Sequence, residues 1–227
     1  MARFVLLHSP LLGPASWRPT AEALRARGQV AETPAWPALA GLGGSFYPAL
    51  ADGMAGRLGA GEAPILVAHS GAGALVPALA ARLEAVRGVI FADAILPHPG
   101  RSWFDTAPED LGRQLRAAGR DGWLPVWDAW WPPGALERLV PDDGLRAALL
   151  GEIAPPPTGY FEEVAPDQPL ELPAAYLKLS GAYEDEAEAA TRLGWPVIRL
   201  PLDHLAPLTR PQPVAAALES LAVRLGG

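Results

Sequence analysis

The chain has 227 residues, half of them hydrophobic and 19% charged, which is enough for one sizeable core in a single domain. Its formal net charge of −7 disfavours a nucleic-acid partner, because nucleic-acid-binding proteins cluster lysine and arginine on one face. Without cysteine there are no disulfides, thiol nucleophiles or thiolate metal ligands, and the four histidines show no metal-ligand spacing. We therefore expect chemistry from oxygen and imidazole groups, without a metal or cofactor.

The first apolar run, Phe4 to Leu7, is too short for the core of a signal peptide. No later stretch approaches the roughly 18 uncharged apolar residues of a membrane span. We therefore expect a cytoplasmic protein without a membrane partner, whose ligand is a small neutral or apolar molecule. The sequence makes no prediction of the oligomeric state.

Short apolar runs bounded by turn residues recur along the chain and are typical of buried strands. The predicted strands cover residues 3–7, 63–68, 88–92, 174–179 and 196–200, with a weaker candidate at 29–33. Helical patterns between them cover residues 19–27, 74–83, 184–193 and 211–225. This alternation predicts an α/β fold with a mostly parallel sheet covered by helices on both faces. Within the second helical pattern, Pro77 should bend or shorten the helix.

The strongest local signal is the segment 65–73, where an apolar strand runs into a small-x-Ser-x-small turn and then a helical pattern. This pattern is typical of a nucleophile elbow, in which a strained turn exposes Ser70 and requires small residues at Ala68 and Ala72. Backbone N–H groups and the helix dipole there favour negative charge. We therefore predict that Ser70 is a nucleophile and that the Gly71 N–H is one oxyanion donor. The alternative is a turn that joins strand to helix without a function.

A serine nucleophile needs a base, usually a histidine that is held by a carboxylate. Asp93 directly follows the strand at 88–92 and leads into an apolar stretch, where a carboxylate needs a partner. Glu184 and Asp185 follow the strand at 174–179, but they open a helical pattern whose dipole explains acidic residues by itself. We prefer Asp93 as the acid and keep Glu184 as the alternative.

Residues 97–167 interrupt the alternation, since they hold five of the eight tryptophans, clustered prolines and helical segments without a clear strand. This predicts an insertion over the sheet, with a core of residues 1–96 and 168–227. The tryptophans either line a substrate pocket, with Trp127 and Trp131 as candidates, or only attach the insertion to the core.

His204 lies in the loop after the last predicted strand, at the same carboxyl edge of the sheet as Ser70. This position makes His204 the leading candidate for the general base. The other three histidines are less suitable. His69 adjoins the serine and points elsewhere, His98 opens the insertion, and His8 fits a structural turn.

The order Ser70, acid, His204, together with the elbow and the insertion, resembles the α/β-hydrolase superfamily at both ends of the chain. This resemblance implies an α/β-hydrolase fold that begins at the superfamily's third strand and has about six mostly parallel strands. It also implies that the insertion is a helical cap or lid. The segment 91–97 around Asp93 is similar to haloalkane-dehalogenase-like proteins, which place their acid after this strand. Most of the superfamily places it after the later strand, which here precedes Glu184.

The segment 8–10 after the first strand looks like the superfamily's His-Gly-x oxyanion loop, which brings His8 into the candidate site. Pro10 stands where the superfamily uses a backbone N–H, and proline has none. Either the Leu11 N–H or the Ser9 hydroxyl replaces it, or the oxyanion hole is incomplete. Ser9 in place of the usual glycine resembles the hydroxynitrile lyase and methylesterase branch, whose lyase members carry a hydroxyl residue there.

We therefore predict a serine hydrolase that cleaves an ester or thioester of a small, largely apolar substrate. His204 takes the Ser70 proton, Ser70 attacks the acyl carbonyl, Gly71 and the His8 loop hold the oxyanion, and water releases the acid. Two other functions stay open. One is a lyase or another non-hydrolytic enzyme on the same scaffold, indicated by Ser9 and Pro10, and the other is a ligand-binding protein that retains the triad.

Overall fold

A single parallel sheet organises the fold. The computed structural model describes residues 1–59 and 61–225, and within these residues six strands are arranged in the order β2-β1-β3-β4-β5-β6. The strands are β1 Arg3–Leu7, β2 Val30–Glu32, β3 Ile65–Ser70, β4 Gly88–Ala94, β5 Ala174–Lys178 and β6 Val197–Arg199. Every pairing between them is parallel, which confirms the predicted sheet. Residues 226–227 of the predicted core lie outside the described residues.

The helices lie on both faces of the sheet and in the insertion. In chain order they are α1 Arg18–Ala26, α2 Phe46–Leu58, α3 Val76–Ala80, α4 Trp103–Thr106, α5 Glu109–Ala118, α6 Ala135–Leu139, α7 Asp143–Leu150, α8 Thr158–Glu162, α9 Glu184–Arg192, α10 Ala206–Thr209 and α11 Pro211–Arg224. The predicted helices at 19–27, 184–193 and 211–225 agree with α1, α9 and α11 to within one residue at each end. In the part of the chain that the structure describes, no helix has the length and apolarity needed to cross a membrane.

The four inner strands, β1, β3, β4 and β5, are largely apolar because both of their faces are buried. In β1, Phe4 and Leu6 pack into a cluster with α1 and α11, whereas Val5 and Leu7 pack into a second cluster with α2 on the other face. Successive side chains of a strand point to opposite faces, so a strand between two helical layers must be apolar at every position.

The helix after Ser70 is shorter than the pattern at 74–83 indicates. A 3-10 helix, Gly71–Leu75, follows the serine directly, and α3 begins at Val76 with Pro77 in its first turn, where the missing N–H costs nothing. This matches the expectation that Pro77 shortens the helix. Gly73 is needed here, because a Cβ at this position would lie 1.9 Å from the Ile95 carbonyl oxygen.

Helix α2 is absent from the predicted elements, because Pro48, Gly53 and Gly56 lower the helix propensity of its sequence. Its N-terminus is stabilised from a distance. Glu163 of the insertion accepts hydrogen bonds from the backbone N–H groups of Phe46 and Tyr47. A capping partner more than 100 residues away leaves no local signal in the sequence.

The insertion (residues 97–167) carries α4 to α8 and contributes no strand to the sheet in the described residues. Its aromatic side chains pack mainly on one another, in a cluster of Trp103, Phe104, Trp130, Tyr160 and Phe161. Glu152 ties the insertion to the core, since it accepts a hydrogen bond from Ala15 N at 2.7 Å and pairs with Arg18. That the insertion acts as a separate cap or lid stays a prediction.

Candidate active site

Ser70 ends the central strand β3 in a strained backbone conformation. Its φ of 55° and ψ of −127° lie in a region that residues with a side chain rarely adopt, and the 3-10 helix begins at the next residue. This sharp strand-to-helix turn has the geometry that the elbow motif predicts. The side chain stands at the carboxyl end of the sheet, partly exposed to solvent. The role of Ser70 as a nucleophile stays a prediction.

Asp93 is the extra residue of a bulge in the neighbouring strand. The register between β3 and β4 shifts here, so that His69 pairs with Ala92 but Ser70 pairs with Ala94. Asp93 has a φ of 46° and its side chain is fully buried. A bulge redirects a side chain that would otherwise follow the alternation of the strand. In this way the bulge aims the carboxylate along the carboxyl edge of the sheet.

Four hydrogen bonds saturate the Asp93 carboxylate. Oδ1 accepts from the backbone N–H groups of Leu179 and Ser180, each at 2.8 Å. Oδ2 accepts from Ser180 Oγ at 2.6 Å and from His204 Nδ1 at 2.8 Å. Burial by itself raises the pKa of this carboxyl, but the hydrogen bonds from His204 and Ser180 outweigh burial and hold the pKa below its usual range. Asp93 is therefore an ionised partner of His204.

The contact with Asp93 fixes the tautomer of His204. With the proton on Nδ1, Nε2 is the acceptor nitrogen of the imidazole and can take a proton from another group. Two rings also stack on the imidazole. The His69 ring lies with its centroid 4.5 Å away, and the Tyr183 ring lies at 5.1 Å with the planes 8° from parallel. The imidazole is held at its edge by Asp93 and by two stacked rings.

His69 is closer to the site than the sequence indicates. We expected it to point elsewhere, but its buried ring packs on His204, and Nε2 lies 2.9 Å from the His204 carbonyl oxygen, to which it donates. Nδ1 is buried and has no hydrogen-bond partner in the described residues. Burial, reinforced by the neighbouring His204, lowers the pKa of His69 to about 3. His69 is therefore a neutral support behind the imidazole.

His8 is also buried and neutral, because burial lowers its pKa to about 4. Its Nδ1 donates to the Ser9 carbonyl oxygen at 2.7 Å, and its Nε2 lies 3.4 Å from the Trp36 backbone N–H. The Trp36 indole N–H donates to the His8 carbonyl oxygen at 2.7 Å. Both ring nitrogens of His8 therefore contact the backbone of neighbouring loops, and its place in the oxyanion loop stays a prediction.

Histidines that are buried in the neutral form make the fold sensitive to acid. Their folded-state pKa lies below the unfolded value near 6.5, so the unfolded chain binds more protons as the pH falls. The contribution of each such histidine to the free energy of unfolding is complete above about pH 6.5. As the pH falls from there to about 4, this contribution decreases by about 1.4 kcal/mol per pH unit. We expect His69→Gln to reduce the slope of the unfolding free energy against pH by about 1.4 kcal/mol per pH unit, which corresponds to one linked proton. Urea denaturation from pH 7.5 to pH 4.5 measures this slope. An unchanged slope would show that His69 already carries a proton in the folded state.

Ser70 and His204 meet at one cavity without a direct hydrogen bond. Ser70 Oγ lies 3.4 Å from the Tyr183 hydroxyl, and among the described residues no hydrogen bond joins Ser70 to His204. Catalytic hydrogen bonds are often long in proteins without a ligand and tighten when the substrate binds. Tyr183 lies 113 positions from Ser70, and no motif in the sequence singles it out.

The loop after β1 approaches Ser70 from the side of Gly71. A Cβ on Gly71 would lie 3.4 Å from Ser9 Oγ, so the Ser9 hydroxyl stands beside the Gly71 backbone. The Leu11 N–H points towards the same hydroxyl at 3.4 Å. Pro10 supplies no N–H, so the hydrogen-bond donors on this side of the cavity are the Ser9 hydroxyl and the Leu11 N–H of the loop and the Gly71 N–H beside Ser70, and their role towards an oxyanion stays a prediction.

The central cavity, of about 840 Å³, joins these groups to the insertion. Core residues on its wall include Ser9, Leu11, Ser70, Gly71, Tyr183 and His204. Four tryptophans of the insertion also line it, among them both candidates: Trp103, Trp127, Trp130 and Trp131. Trp123 is 39% exposed and is not among the described residues that line the cavity. The size and apolar lining are typical of a small-molecule site.

The alternative acid, Glu184, forms ion pairs with two basic side chains of the neighbouring strands. It pairs with Lys178 and with Arg199, whose Nε lies 3.1 Å from Oε1. The hydrogen bonds from Lys178 and Arg199 lower the pKa of Glu184. The structure therefore brings Asp93 to His204 and leaves Glu184 half-exposed. Within residues 1–59 and 61–225, no group of three or more His, Asp or Glu side chains is arranged to hold a metal ion.

The chain matches no family model and no curated protein sequence. Solved structures, in contrast, are similar over almost its whole length. An extracellular α/β-hydrolase from a Paenibacillus species, with structural and functional homology to tobacco salicylic acid binding protein 2, is 21% identical with a TM-score of 0.78, covering 97% of this chain and 99% of its own. A pyrethroid hydrolase from Sphingobium faniae JZ-2 is 23% identical with a TM-score of 0.67, covering 97% of each chain. Tomato methylketone synthase I in complex with 2-tridecanone is 15% identical with a TM-score of 0.73, covering 99% of this chain and 98% of its own.

Proposed function

We propose that this chain, which has the α/β-hydrolase fold, is a cofactor-independent serine hydrolase that cleaves an ester of a small, uncharged and largely apolar molecule. One observation carries the proposal. The buried Asp93–His204 pair, with its 2.8 Å hydrogen bond, opens on the same cavity as the strained Ser70. A carboxylate, an imidazole and an exposed serine at one sheet edge form the parts of a catalytic triad.

In the proposed reaction, Ser70 and His204 exchange a single proton. His204 Nε2 takes the hydroxyl proton as Ser70 Oγ bonds to the acyl carbon, and the carbonyl oxygen gains a negative charge. The Gly71 N–H and a donor from Ser9 or Leu11 stabilise that charge. When the bond to the leaving oxygen breaks, His204 returns the proton to it. Water then releases the acyl group by the same steps in reverse.

The charges around the central cavity favour an uncharged substrate. Among the described residues that line it, none is lysine or arginine, and three carry carboxylates: Asp110, Asp185 and Glu186. Burial raises the pKa of Glu186, and within the described residues neither Glu186 nor Asp185 makes a salt bridge. Asp110 pairs with Arg113, which is not among the lining residues, so an acyl carrier with phosphate groups would meet the carboxylates of Asp185 and Glu186 without a lysine or arginine in the lining to bind it. We therefore favour a neutral ester over an acyl-coenzyme A thioester.

Two other functions make different use of the same cavity. A lyase or another non-hydrolytic enzyme is favoured by the Ser9 hydroxyl beside Gly71, which offers a donor to a substrate oxygen. A ligand-binding protein would fill the cavity without turnover. The names of the similar structures include hydrolases and a synthase, so the fold alone does not separate these functions. The expected cytoplasmic location stays a prediction, which fractionation of producing cells tests.

We expect a fluorophosphonate to label the protein and p-nitrophenyl esters of short acyl chains to be turned over. The kcat/KM of a neutral ester should exceed that of the coenzyme A thioester of the same acyl group by at least about tenfold, because like charges repel. Ser70→Ala is the matched control and should neither be labelled nor turn over. Labelling without turnover would favour the lyase or the binding protein. A wild-type protein that is neither labelled nor active would contradict the hydrolase.

A further inference from the structure

Tyr183 contacts Ser70 and has no role yet in the proposed mechanism. Its hydroxyl lies 3.4 Å from Ser70 Oγ, its ring stacks on His204, and it lines the central cavity. A tyrosine in this position touches both the nucleophile and the base. The sequence shows no motif around it, so only the structure draws attention to it.

Both ends of the turn that carries Tyr183 are anchored. The 3-10 helix Gly181–Tyr183 follows Ser180, whose N–H and Oγ both donate to Asp93. The residue after the turn, Glu184, pairs with a lysine and an arginine on the two neighbouring strands. The carboxylate that orients His204 therefore also fixes the start of the turn. Such an anchored side chain is suited to hold one hydroxyl in a defined place.

The hydroxyl of Tyr183 is a proton donor at neutral pH. Burial raises the pKa of this phenol above its usual range, and the hydrogen bond with Ser70 opposes burial only in part. A neutral phenol can donate one hydrogen bond without giving up its proton. It can therefore stabilise a nearby oxygen on which negative charge develops.

The order of the strands indicates which oxygen of the substrate this hydroxyl faces. In the sheet order β2-β1-β3-β4-β5-β6, Ser70 ends β3, the loop with Ser9 follows β1 on one side, and Tyr183 follows β5 on the other. The oxyanion donors thus approach Ser70 from the β1 side. Tyr183 approaches from the side of His204, which is where the leaving oxygen receives its proton.

We propose that Tyr183 is a further catalytic residue, whose hydroxyl donates a hydrogen bond to the leaving-group oxygen. This inference rests on the proposed hydrolase function. As the bond between the acyl carbon and the leaving oxygen breaks, the electron pair passes to that oxygen, and its proton comes from His204 Nε2. Tyr183 keeps its own proton throughout. In the second half of the reaction the same hydroxyl holds the attacking water.

Tyr183→Phe tests the proposal, because it removes the hydroxyl and keeps the ring that stacks on His204. The readout is kcat/KM, which reports acylation, for esters of one acyl group with leaving groups of increasing basicity, from p-nitrophenol to a simple alcohol. We expect a loss of less than about threefold for p-nitrophenyl esters and of about 10-fold to 100-fold for alkyl esters, where more charge develops on the leaving oxygen. Tyr47→Phe is the matched control, since Tyr47 is buried in α2 and does not belong to the cavity wall.

The outcomes separate this inference from the function on which it rests. A loss that grows with leaving-group basicity supports the donor role. An equal loss for every ester would show that the hydroxyl is only a structural support, and full activity would show that it has no role, so either result overturns the inference while ester turnover by the wild type stands. If the wild type neither turns over esters nor is labelled by a fluorophosphonate, the hydrolase function and this inference fall together.

Discussion

Ester turnover is expected to fall on the order of a millionfold in Ser70→Ala, because the variant has no nucleophile to attack the acyl carbon. The fold should survive, since the partly exposed Ser70 hydroxyl contributes little to packing. The substitution also keeps a Cβ at a residue with a φ of 55°, so the backbone strain of the turn is unchanged. Turnover of p-nitrophenyl esters and circular dichroism measure the two effects.

The matched control is Ser45→Ala, because Ser45 has nearly the same φ, 54°, but lies at the start of α2 and away from the cavity wall. It should keep full activity. The nucleophile assignment would be wrong if a folded Ser70→Ala protein retained more than about a tenth of wild-type turnover. Loss of activity in both variants would instead point to a general effect on the fold, because Ser45 lies away from the cavity wall.

Asp93→Asn is expected to lower turnover about ten-thousandfold while substrate binding survives. The side-chain oxygen of asparagine can still accept the two N–H groups that contact Oδ1, from Leu179 and Ser180. Its amide nitrogen then faces His204 Nδ1 in place of Oδ2. Because two donors cannot share this contact, the imidazole must move its proton to Nε2, where it can no longer accept the proton of Ser70.

Two variants at the later strand serve as controls for Asp93. Glu184→Gln loses only half-exposed ion pairs with Lys178 and Arg199, and such pairs contribute little. Asp185→Asn changes an exposed charge at the cavity wall. Both should turn over a neutral ester at close to the wild-type rate at saturation. An inactive Glu184→Gln beside an active Asp93→Asn would move the acid to the later strand, and activity in all three variants would mean that His204 works without a carboxylate.

The elements that the sequence predicts well are those with a local cause. The four inner strands are recognisable because both of their faces are buried, whereas the edge strands β2 and β6 are short and partly exposed; for all six the predicted and observed bounds differ by at most two residues. The turn at Ser70 is recognisable because its geometry needs small neighbours within two positions. Helix α2 was not predicted, because its capping carboxylate, Glu163, comes from the insertion.

The candidate site was only partly predictable, because its contacts join distant parts of the chain. Histidine after the last strand and aspartate at the carboxyl end of β4 follow from the rule that functional groups gather at the carboxyl edge of a parallel sheet. The bulge that turns Asp93 towards His204 has no sequence signal. The stack of His69, His204 and Tyr183 depends on two ring contacts, one of which joins residues 135 positions apart.

The hydrogen bond between Ser180 and Asp93 has a consequence for how such a site can evolve. The ends of β4 and β5 reach the same point in space, since Ser180 Oγ lies 2.6 Å from Asp93 Oδ2. An ancestor could therefore gain a carboxylate at position 180 before losing the one at position 93, so that His204 never lacks a partner. Descendants of one fold can thus carry their acid on different strands, and a sequence comparison that expects it on one strand will overlook those that carry it on the other.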